Sequence, residues 1–431
     1  MIYKLILILA VIIFNSNLIQ AQDYVKDGEN RLNFANTYFE LGAQYTSSFN
    51  GYIIGENNIM ESVSNSASIT PTLNIGGIHF WGHADFYISI PLLQFKLAKN
   101  DKSDFTFNQS VVTGARYLPW AYSHNKIRPY IGGSWAVVNF KQGNKENHNQ
   151  PLYSKNKLVF DAGILYGKNN LMFRLGVNFH PNNKWNYPIS KNLFKEVKTP
   201  RWGVNIGLIY SMETTRSKDM KSYNDMLNEY PTISSPTLDA IKRGDWFLAI
   251  GPSSSFTLSN STYNKTTYPF LNKKPISNSF IDIAIGYQFN KAGIITSLSY
   301  RNPKFTNEGY GVKQTIKKKS VVFEAYKFLT DYSGFTPYIG LNIGFSNIKY
   351  NEQSNANNYS ESFTSITPGL TIGWDILPGK TQQWFVLRTN LRWIPFEKFS
   401  INGIEFSQNQ LEYNVIQLVF YPSRYKSVRN K

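Results

Sequence analysis

Apolar and polar residues alternate along most of this chain, in short runs separated by polar, turn-forming segments. In LMFRLGVNFH, residues 171–180, every second residue from Leu171 to Phe179 is apolar, while Arg174, Asn178 and His180 lie at the positions between them. Successive side chains of a strand point to opposite faces, so a period of two predicts strands with one apolar and one polar face. The pattern therefore predicts an all-β protein.

Two sets of eight strands follow from this alternation and from the Gly, Pro, Asn and Asp residues between runs. The first set is predicted at residues 36–47, 66–77, 81–92, 106–118, 127–141, 156–167, 169–180 and 201–211. The second is predicted at 245–256, 278–290, 292–301, 319–330, 335–350, 362–375, 383–394 and 411–422. Long polar connections follow the odd strands and short ones follow the even strands, which is typical of barrels in the outer membrane.

The two sets are copies of one unit. RPYIGGSWAVVNF at residues 128–140 returns as TPYIGLNIGFSNI about 210 residues later, and SVVTGARYL and SVVFEAYKF precede the two copies in the same order. Self-similarity at a fixed spacing indicates a duplication. The predicted organisation is a signal peptide at residues 1–21, a first eight-strand unit at 22–211, a polar periplasmic linker at 212–243 and a second eight-strand unit at 244–431.

The N-terminal segment predicts export. Lys4 precedes an apolar run that ends at Phe14, and the segment closes on Ala21, a pattern typical of a secretory signal peptide. No later segment contains the ~18 unbroken apolar residues that a membrane-spanning helix needs. If the chain spans a membrane, strands must span it.

The polar faces of the predicted strands carry acids and bases in nearly balanced numbers, together with repeated glycines. Unpaired charge in a narrow lumen costs several kcal/mol per ion, so the balance predicts paired networks rather than a wide aqueous channel. Glycine on an inner wall allows tight curvature. The predicted interior network consists of Glu40, Asp85, Arg116, Asp161 and Arg174 in the first copy and Asp282, Arg301, Glu324, Asp375, Arg388 and Arg392 in the second.

Composition supports an envelope protein. Aromatic residues make up 16% of the chain, which suits the aromatic girdles of membrane barrels; a Tyr-rich soluble sandwich is the alternative. With no Cys, the chain has no disulfide, no thiolate metal site and no acylated-cysteine anchor. The net charge of +17 favours anionic lipid over nucleic acid as counter-charge, because an exported chain seldom meets nucleic acid.

Basic residues cluster in the predicted external loops. Lysine ammonium groups at headgroup level would face lipopolysaccharide phosphates, each worth about 1 kcal/mol. Ordinary loop solubility is the alternative explanation. The predicted anionic-lipid contacts are Lys191, Lys195, Lys198, Lys317, Lys318 and Lys319.

Candidate catalytic and metal-binding residues are few. His83 and Asp85, two apart on one predicted strand, could form a general-base dyad. His79 and His83 flank a turn, without an apparent third metal ligand. No GxSxG motif is present. We therefore expect no enzyme activity, no metal and no cofactor.

With its signal peptide, its strand spacing and its PYIGG and PYIGL strands at residues 129–133 and 337–341, the chain resembles the small outer-membrane β-barrel superfamily of OmpA-type and OmpW-type eight-strand barrels, present as a tandem duplication. The resemblance implies an antiparallel transmembrane barrel that barrel-assembly machinery inserts into the outer membrane. It carries over no functional residue. Two features depart from the family: the unit occurs twice, and PSRYKSVRNK follows the terminal aromatics Phe420 and Tyr421.

Two architectures are compatible with sixteen strands. Strand eight can pair with strand one of its own copy, which makes two barrels, or with strand nine, which makes one. The Gly-rich, charge-balanced inner faces and the roughly 30-residue linker favour two barrels. The expected function is a non-enzymatic surface or envelope-structural role with cationic external loops; the alternatives are a porin-like channel for small solutes and a barrel enzyme acting on lipid or peptide.

Overall fold

The structure is a computed structural model, and it describes residues 35–55, 59–98, 103–144, 149–213, 244–290, 292–329, 335–354, 358–376 and 384–424. The predicted signal peptide and nearly all of the predicted linker lie outside the described residues. In the part of the chain that is described, no helix is long and apolar enough to cross a membrane.

The first copy folds into a closed antiparallel barrel. Its strands in chain order are β1 (Ala35–Thr46), β2 (Phe49–Ile54), β3 (Met60–Asn65), β4 (Ser68–His79), β5 (Ala84–Pro91), β6 (Phe95–Lys96), β7 (Ser103–Tyr117), β8 (Ile127–Asn144), β9 (Tyr153–Lys168), β10 (Leu171–Phe179), β11 (Lys184–Pro188), β12 (Phe194–Lys198) and β13 (Trp202–Glu213). The wall consists of β1, β4, β5, β7, β8, β9, β10 and β13. It closes because β1 pairs with both β4 and β13.

The second copy forms another closed barrel. Its elements are β14 (Asp245–Thr257), α1 (Thr262–Thr267), β15 (Phe280–Phe289), β16 (Ile294–Arg301), β17 (Lys304–Gly309), β18 (Val312–Phe328), β19 (Phe335–Gln353), β20 (Asn358–Ile376), β21 (Phe385–Ile394), β22 (Lys398–Ile401), β23 (Ile404–Ser407) and β24 (Gln410–Phe420). The wall consists of β14, β15, β16, β18, β19, β20, β21 and β24. It closes because β14 pairs with both β15 and β24.

The eighth wall strand of each copy thus pairs with the first strand of the same copy. The protein therefore has two closed eight-strand antiparallel barrels and not one sixteen-strand barrel. The expected all-β duplicated fold is confirmed, with the two-barrel arrangement that the sequence favoured.

Each predicted strand has a wall strand near its predicted position, but several extend farther at the end where the connections are long, here called the long-loop end. For example, β18 begins at Val312 rather than at residue 319, and β20 begins at Asn358 rather than at residue 362. The pairs β2–β3, β11–β12 and β22–β23 and the strand β17 were not predicted. These extensions place polar residues such as Gln314 and Lys318 on their inner face, so the apolar and polar alternation that identifies a strand is lost there.

The outside of each barrel wall carries a continuous apolar belt. On β13 the outward residues are Trp202, Val204, Ile206, Leu208 and Tyr210, and each is 41–60% exposed. A surface of this kind around a closed barrel matches a lipid environment. The run from Trp202 to Tyr210 has nine residues, which corresponds to the ~9–11 residues that a tilted strand needs to cross a bilayer. Trp202 and Tyr210 at its two ends match the aromatic girdles of membrane barrels.

Inward glycines make room for the tyrosines of the duplicated PYIG motif. Tyr130 lies directly opposite Gly163, and Tyr338 lies directly opposite Gly373. A Cβ atom on Gly163 would be 2.6 Å from Tyr130 Oη, and one on Gly373 would be 2.5 Å from Tyr338 Oη. Both rings are buried in the lumen. The duplication therefore preserves the same packing of an inward ring over a neighbouring strand.

Candidate functional site

Arg116 on β7 lies inside the first barrel between two carboxylates. Its Nη1 is 2.6 Å from Asp85 Oδ2, and its Nε is 2.7 Å from Asp161 Oδ2. Its guanidinium carbon is 3.6 Å from the centroid of the Tyr87 ring, and Tyr38 donates a 2.7 Å hydrogen bond to the other oxygen of Asp85. All of these side chains are buried. The cluster joins three strands through one guanidinium group.

A second arginine spans another part of the same lumen. Arg174 on β10 reaches past β13 to Glu40 on β1, where its Nε donates to Oε1 at 3.1 Å and its Nη2 donates to the same oxygen. Its Nη1 donates to Asn205 Oδ1 on β13 at 2.6 Å. Glu40 is fully buried. The predicted interior residues of the first copy thus lie in two ion-paired clusters.

The second barrel holds a larger network around Arg301 and Arg392. Arg301 lies 2.8 Å from Glu324 Oε1 and 2.9 Å from Glu412 Oε2. Arg392 lies 2.7 Å from Asp282 Oδ2 and 2.6 Å from Glu324 Oε1. The five residues are at most 2% exposed. Each guanidinium group therefore contacts carboxylates from at least two strands, which links opposite parts of the wall.

A separate ion pair lies nearer the opposite end of the second barrel, where the connections between strands are short, here called the short-turn end. Arg388 binds Asp375 through two parallel hydrogen bonds of 2.7 and 2.9 Å. The two residues are direct cross-strand neighbours, and the guanidinium carbon is 5.0 Å from the centroid of the Phe247 ring. Bidentate geometry makes this pair both strong and directional.

Every residue predicted for the interior network is buried inside its barrel. Glu412 belongs to the same network and was not predicted. The register of β24 shifts between Asn414 and Gln417, so the alternation changes phase within the strand. Glu412 and Val419 therefore both face inward although they are seven residues apart. An uninterrupted period of two cannot reveal such a residue.

A small cavity lies inside the long-loop end of the first barrel. The cavity between Gln44, Gln94 and His180 has a volume of about 20 Å³, room for about one water molecule. Ion-paired side chains and the buried tyrosines occupy the lumen below it.

Three lysines form a row on the outer surface of the second barrel, beyond the apolar belt at the long-loop end. Lys304 on β17 lies directly opposite Lys317 on β18, and Lys317 lies directly opposite Lys349 on β19. All three side chains are exposed. We call Lys304, Lys317 and Lys349 the lysine row. A groove of about 380 Å³ beside it is lined by further polar residues, including Asn351 and Ser360.

The lysine row lacks internal compensation. Like charges directly opposite on neighbouring strands destabilise a sheet. The carboxylates that form ion pairs with lysine among the described residues pair with other lysines, and none is at ion-pair distance from the row. An external anion would therefore relieve the repulsion.

The predicted lipid-contacting lysines lie in different environments. The prediction that Lys318 contacts anionic lipid is wrong. Strand alternation directs this side chain inward, where its Nζ is 2.8 Å from Glu397 Oε1 and the residue is 2% exposed. Lys317 and Lys319, on either side of it, are exposed. The remaining three lie on and beside the β11–β12 hairpin, where Lys191 and Lys198 are exposed and Lys195 is half-buried.

The proposed His83–Asp85 dyad does not form. Asp85 is bound by Arg116 and Tyr38, whereas His83 Nδ1 lies 2.9 Å from the carbonyl oxygen of Leu118. Within the described ranges, no group of three or more His, Cys, Asp or Glu side chains is arranged to hold a metal ion.

No protein-family model and no curated protein matches the chain. Solved structures with which it shares similarity include Neisserial surface protein A, at 14% identity over 41% of this chain and 97% of that one, with a TM-score of 0.29. Others are the attachment invasion locus protein Ail of Yersinia pestis, solved with the heparin analogue sucrose octasulfate (16% identity, 42% and 99% coverage, TM-score 0.27), and the outer membrane protein OprG of Pseudomonas aeruginosa (13% identity, 42% and 93% coverage, TM-score 0.28).

Proposed function

We propose that this chain is a non-enzymatic outer-membrane protein with a surface or envelope-structural role, and that its long-loop end binds phosphate groups of lipopolysaccharide. The apolar belts supply the membrane anchor. Buried ion pairs and tyrosines occupy the lumens, which favours a structural role over a channel. The observation that carries the ligand assignment is the uncompensated lysine row.

The position of the row suits the headgroup region. Lys317 lies four residues beyond Val321, an outward residue of the apolar belt that is 45% exposed. Four residues of a strand span ~13 Å, and strand tilt brings that height closer to the membrane. The flexible stem of lysine allows its ammonium group to reach toward lipid phosphates. This position supports a contact between the row and the anionic groups of the outer leaflet.

Lipopolysaccharide binding by the purified full-length protein tests this proposal. The variant Lys304→Gln/Lys317→Gln/Lys349→Gln removes the row. Lys141→Gln/Lys184→Gln/Lys398→Gln is a matched control, because it removes the same total charge from lysines that pair with carboxylates. At about 1 kcal/mol per lysine, loss of the row should weaken binding by about 100-fold, and the control should change it much less.

Binding of dephosphorylated lipopolysaccharide distinguishes recognition of phosphate charge from nonspecific binding. Lipopolysaccharide stripped of its phosphates should bind the unmodified protein and the row variant equally weakly. Equal affinity of the row variant and the unmodified protein for intact lipopolysaccharide would overturn the ligand assignment.

A further inference from the structure

Two inward lysines of the first barrel share one tryptophan. Lys155 and Lys157 are two residues apart on β9, and their Nζ atoms are 4.4 and 4.7 Å from the centroid of the Trp185 ring on β11. Trp185 is fully buried, and its indole Nε1 has no hydrogen-bond partner among the described residues. A buried N–H donor without a partner is uncommon in folded proteins. An acceptor at this position would satisfy it.

The two lysines also lack a carboxylate partner in the part of the chain that the structure describes. Lys157 is only 6% exposed, and Lys155 is half-buried with one hydrogen bond, from Nζ to the Lys184 carbonyl oxygen at 3.0 Å. Among the described residues, no carboxylate is at ion-pair distance from either lysine. Cation–π contact with the indole ring offsets part of the free energy cost of burying an ammonium group, but the remaining cost of an unpaired buried charge is large.

A third lysine belongs to the segment of the other barrel that contacts this part of β9, because Lys273 follows Phe270 by three residues and the Phe270 carbonyl oxygen is 3.0 Å from Tyr153 Oη. Lys273 lies in the connection between α1 and β15, and its side chain is exposed. Lys155 lies beyond Leu158, the outward apolar residue of β9 nearest to the long-loop end. Burial, and secondly the nearby charge of Lys273, lower the pKa of Lys155. Lysines from both barrels therefore lie in one region, and no described carboxylate pairs with Lys155 or Lys157 there.

This place is the contact between the barrels at the long-loop end, here called the seam. Tyr153 Oη of the first barrel donates to the carbonyl oxygen of Phe270 in the second at 3.0 Å. Tyr310 of the second barrel donates from its backbone N–H to the Asn149 carbonyl oxygen at 2.5 Å, and from its Oη to the Pro188 carbonyl oxygen at 3.0 Å. Apolar contacts join the barrels as well, since Phe194 of the first barrel packs against the cluster of Phe270, Leu271 and Val312 in the second. A bound anion would add a charged contact to this interface.

We propose that Lys155, Lys157 and Lys273, together with the Trp185 indole N–H, bind a phosphoryl or sulfuryl oxyanion at the seam, and that this anion links the two barrels. A tetrahedral oxyanion offers several acceptor oxygens, which matches the ammonium and indole donors. A phosphate monoester carries a charge of about −1.5 to −2 at pH 7, which matches adjacent ammonium groups better than a monovalent ion does. Half-buried Lys155 and exposed Lys273 provide the entry from solvent.

Calorimetric titration of the full-length protein with inorganic phosphate, in detergent prepared without phosphate or sulfate, tests the site. The expected result is saturable binding at one site per chain that an equal ionic strength of chloride does not reproduce. Each lost ammonium contact should weaken binding about tenfold, so Lys155→Gln/Lys157→Gln should lose about 100-fold and Lys273→Gln about tenfold. Absence of saturable binding, or unchanged affinity in the double variant, would overturn the proposal.

Two control variants isolate the site. Lys184→Gln removes a neighbouring lysine that is exposed and paired with Glu196, and it should keep full affinity. The row variant described above should also keep full affinity, which separates this site from the proposed lipopolysaccharide contact. If Lys273→Gln binds phosphate like the unmodified protein, the link between the barrels is wrong.

Trp185→Phe covers the case in which the lysine variants fail to fold. It keeps the aromatic ring and both charges but removes the N–H donor, and it should weaken phosphate binding several-fold while the protein still folds. Unchanged phosphate affinity in a folded Trp185→Phe variant would remove the indole donor from the site.

The source of the anion follows from competition. Displacement of inorganic phosphate by a phosphate-bearing lipid, but not by the same lipid without its phosphate, would identify a headgroup as the ligand. Retention of phosphate in the presence of that lipid would identify a free ion.

Discussion

Arg301 of β16 and Glu412 of β24 meet inside the second barrel, with Nη1 2.9 Å from Oε2, although β15 and β14 separate their strands around the wall. Side chains can make this contact only across a narrow lumen. A sixteen-strand barrel would hold such strands much farther apart across its interior. The pair is therefore a direct consequence of two small barrels in place of one large barrel.

Replacing Arg301 tests how much the network contributes to stability. Arg301→Met should lower the free energy of unfolding by about 3–5 kcal/mol, because it leaves buried carboxylates without their partner. Lys398→Met, which breaks an exposed ion pair with Glu405, should change it by less than about 1 kcal/mol. Urea unfolding of both variants in detergent or vesicles measures the difference. Equal effects would mean that the buried network contributes no more than a surface pair.

Conductance tests the proposed structural role against a channel. With the interiors filled by ion-paired side chains, the purified protein in a planar bilayer should produce no stable conductance steps. Regular steps of uniform size from the unmodified protein would favour the porin-like alternative. Unfolded protein added at the same concentration is the control for membrane leakage.

A glycine pair tests the packing of the duplicated tyrosines. Gly163→Ala should destabilise the protein by about 1–3 kcal/mol, because the new Cβ would clash with the backbone carbonyl oxygen of Leu175 and lie 2.6 Å from Tyr130 Oη. Gly133→Ala is the matched control, since the nearest atom to its Cβ is 3.9 Å away. Comparison of their unfolding free energies measures the effect. A neutral Gly163→Ala would show that both the Tyr130 ring and the backbone of the neighbouring strand can move without cost.

Acid unfolding tests an ion pair at the short-turn end. Burial alone would raise the pKa of Asp245, but Arg424, with Ser423 and Asn290, brings it below its usual value. Asp245 precedes Trp246, the outward aromatic residue at that end of β14. A lowered pKa means that the ionised carboxylate stabilises the fold above the unfolded-state pKa of about 4, and that this contribution is lost as the pH falls through the folded-state value.

Asp245→Asn should therefore be less stable than the unmodified protein at pH 7 and approach it in stability below about pH 4. Unfolding free energies measured between pH 7 and pH 2.5 give the two curves. Arg424→Gln should reduce the acid dependence as well. Parallel curves for all three proteins would contradict the assigned pair.

Residue alternation was sufficient to predict the wall strands and the inward position of residues such as Asp161 and Arg174, because strand periodicity is a local property. It did not reveal Glu412, which follows from a register shift in β24, nor the inward direction of Lys318, which lies in an extension of β18 where both faces are polar. A local pattern does not predict which side chains point inward where strand pairing, and not contact with the membrane, determines their direction.

The amino-acid sequence by itself determined that the chain is a duplicated all-β protein whose strands have one apolar and one polar face, since the repeat is visible in the residues and the alternation depends on neighbouring positions. Only the tertiary structure decided that β13 returns to β1, which carboxylate each arginine meets, and that Tyr153 contacts Phe270 of the other barrel. The physical reason is that backbone hydrogen bonding is the same whether the eighth strand pairs with the first strand of its own copy or with that of the other copy. Closure, lumen width and the seam are set by contacts between residues far apart in the chain.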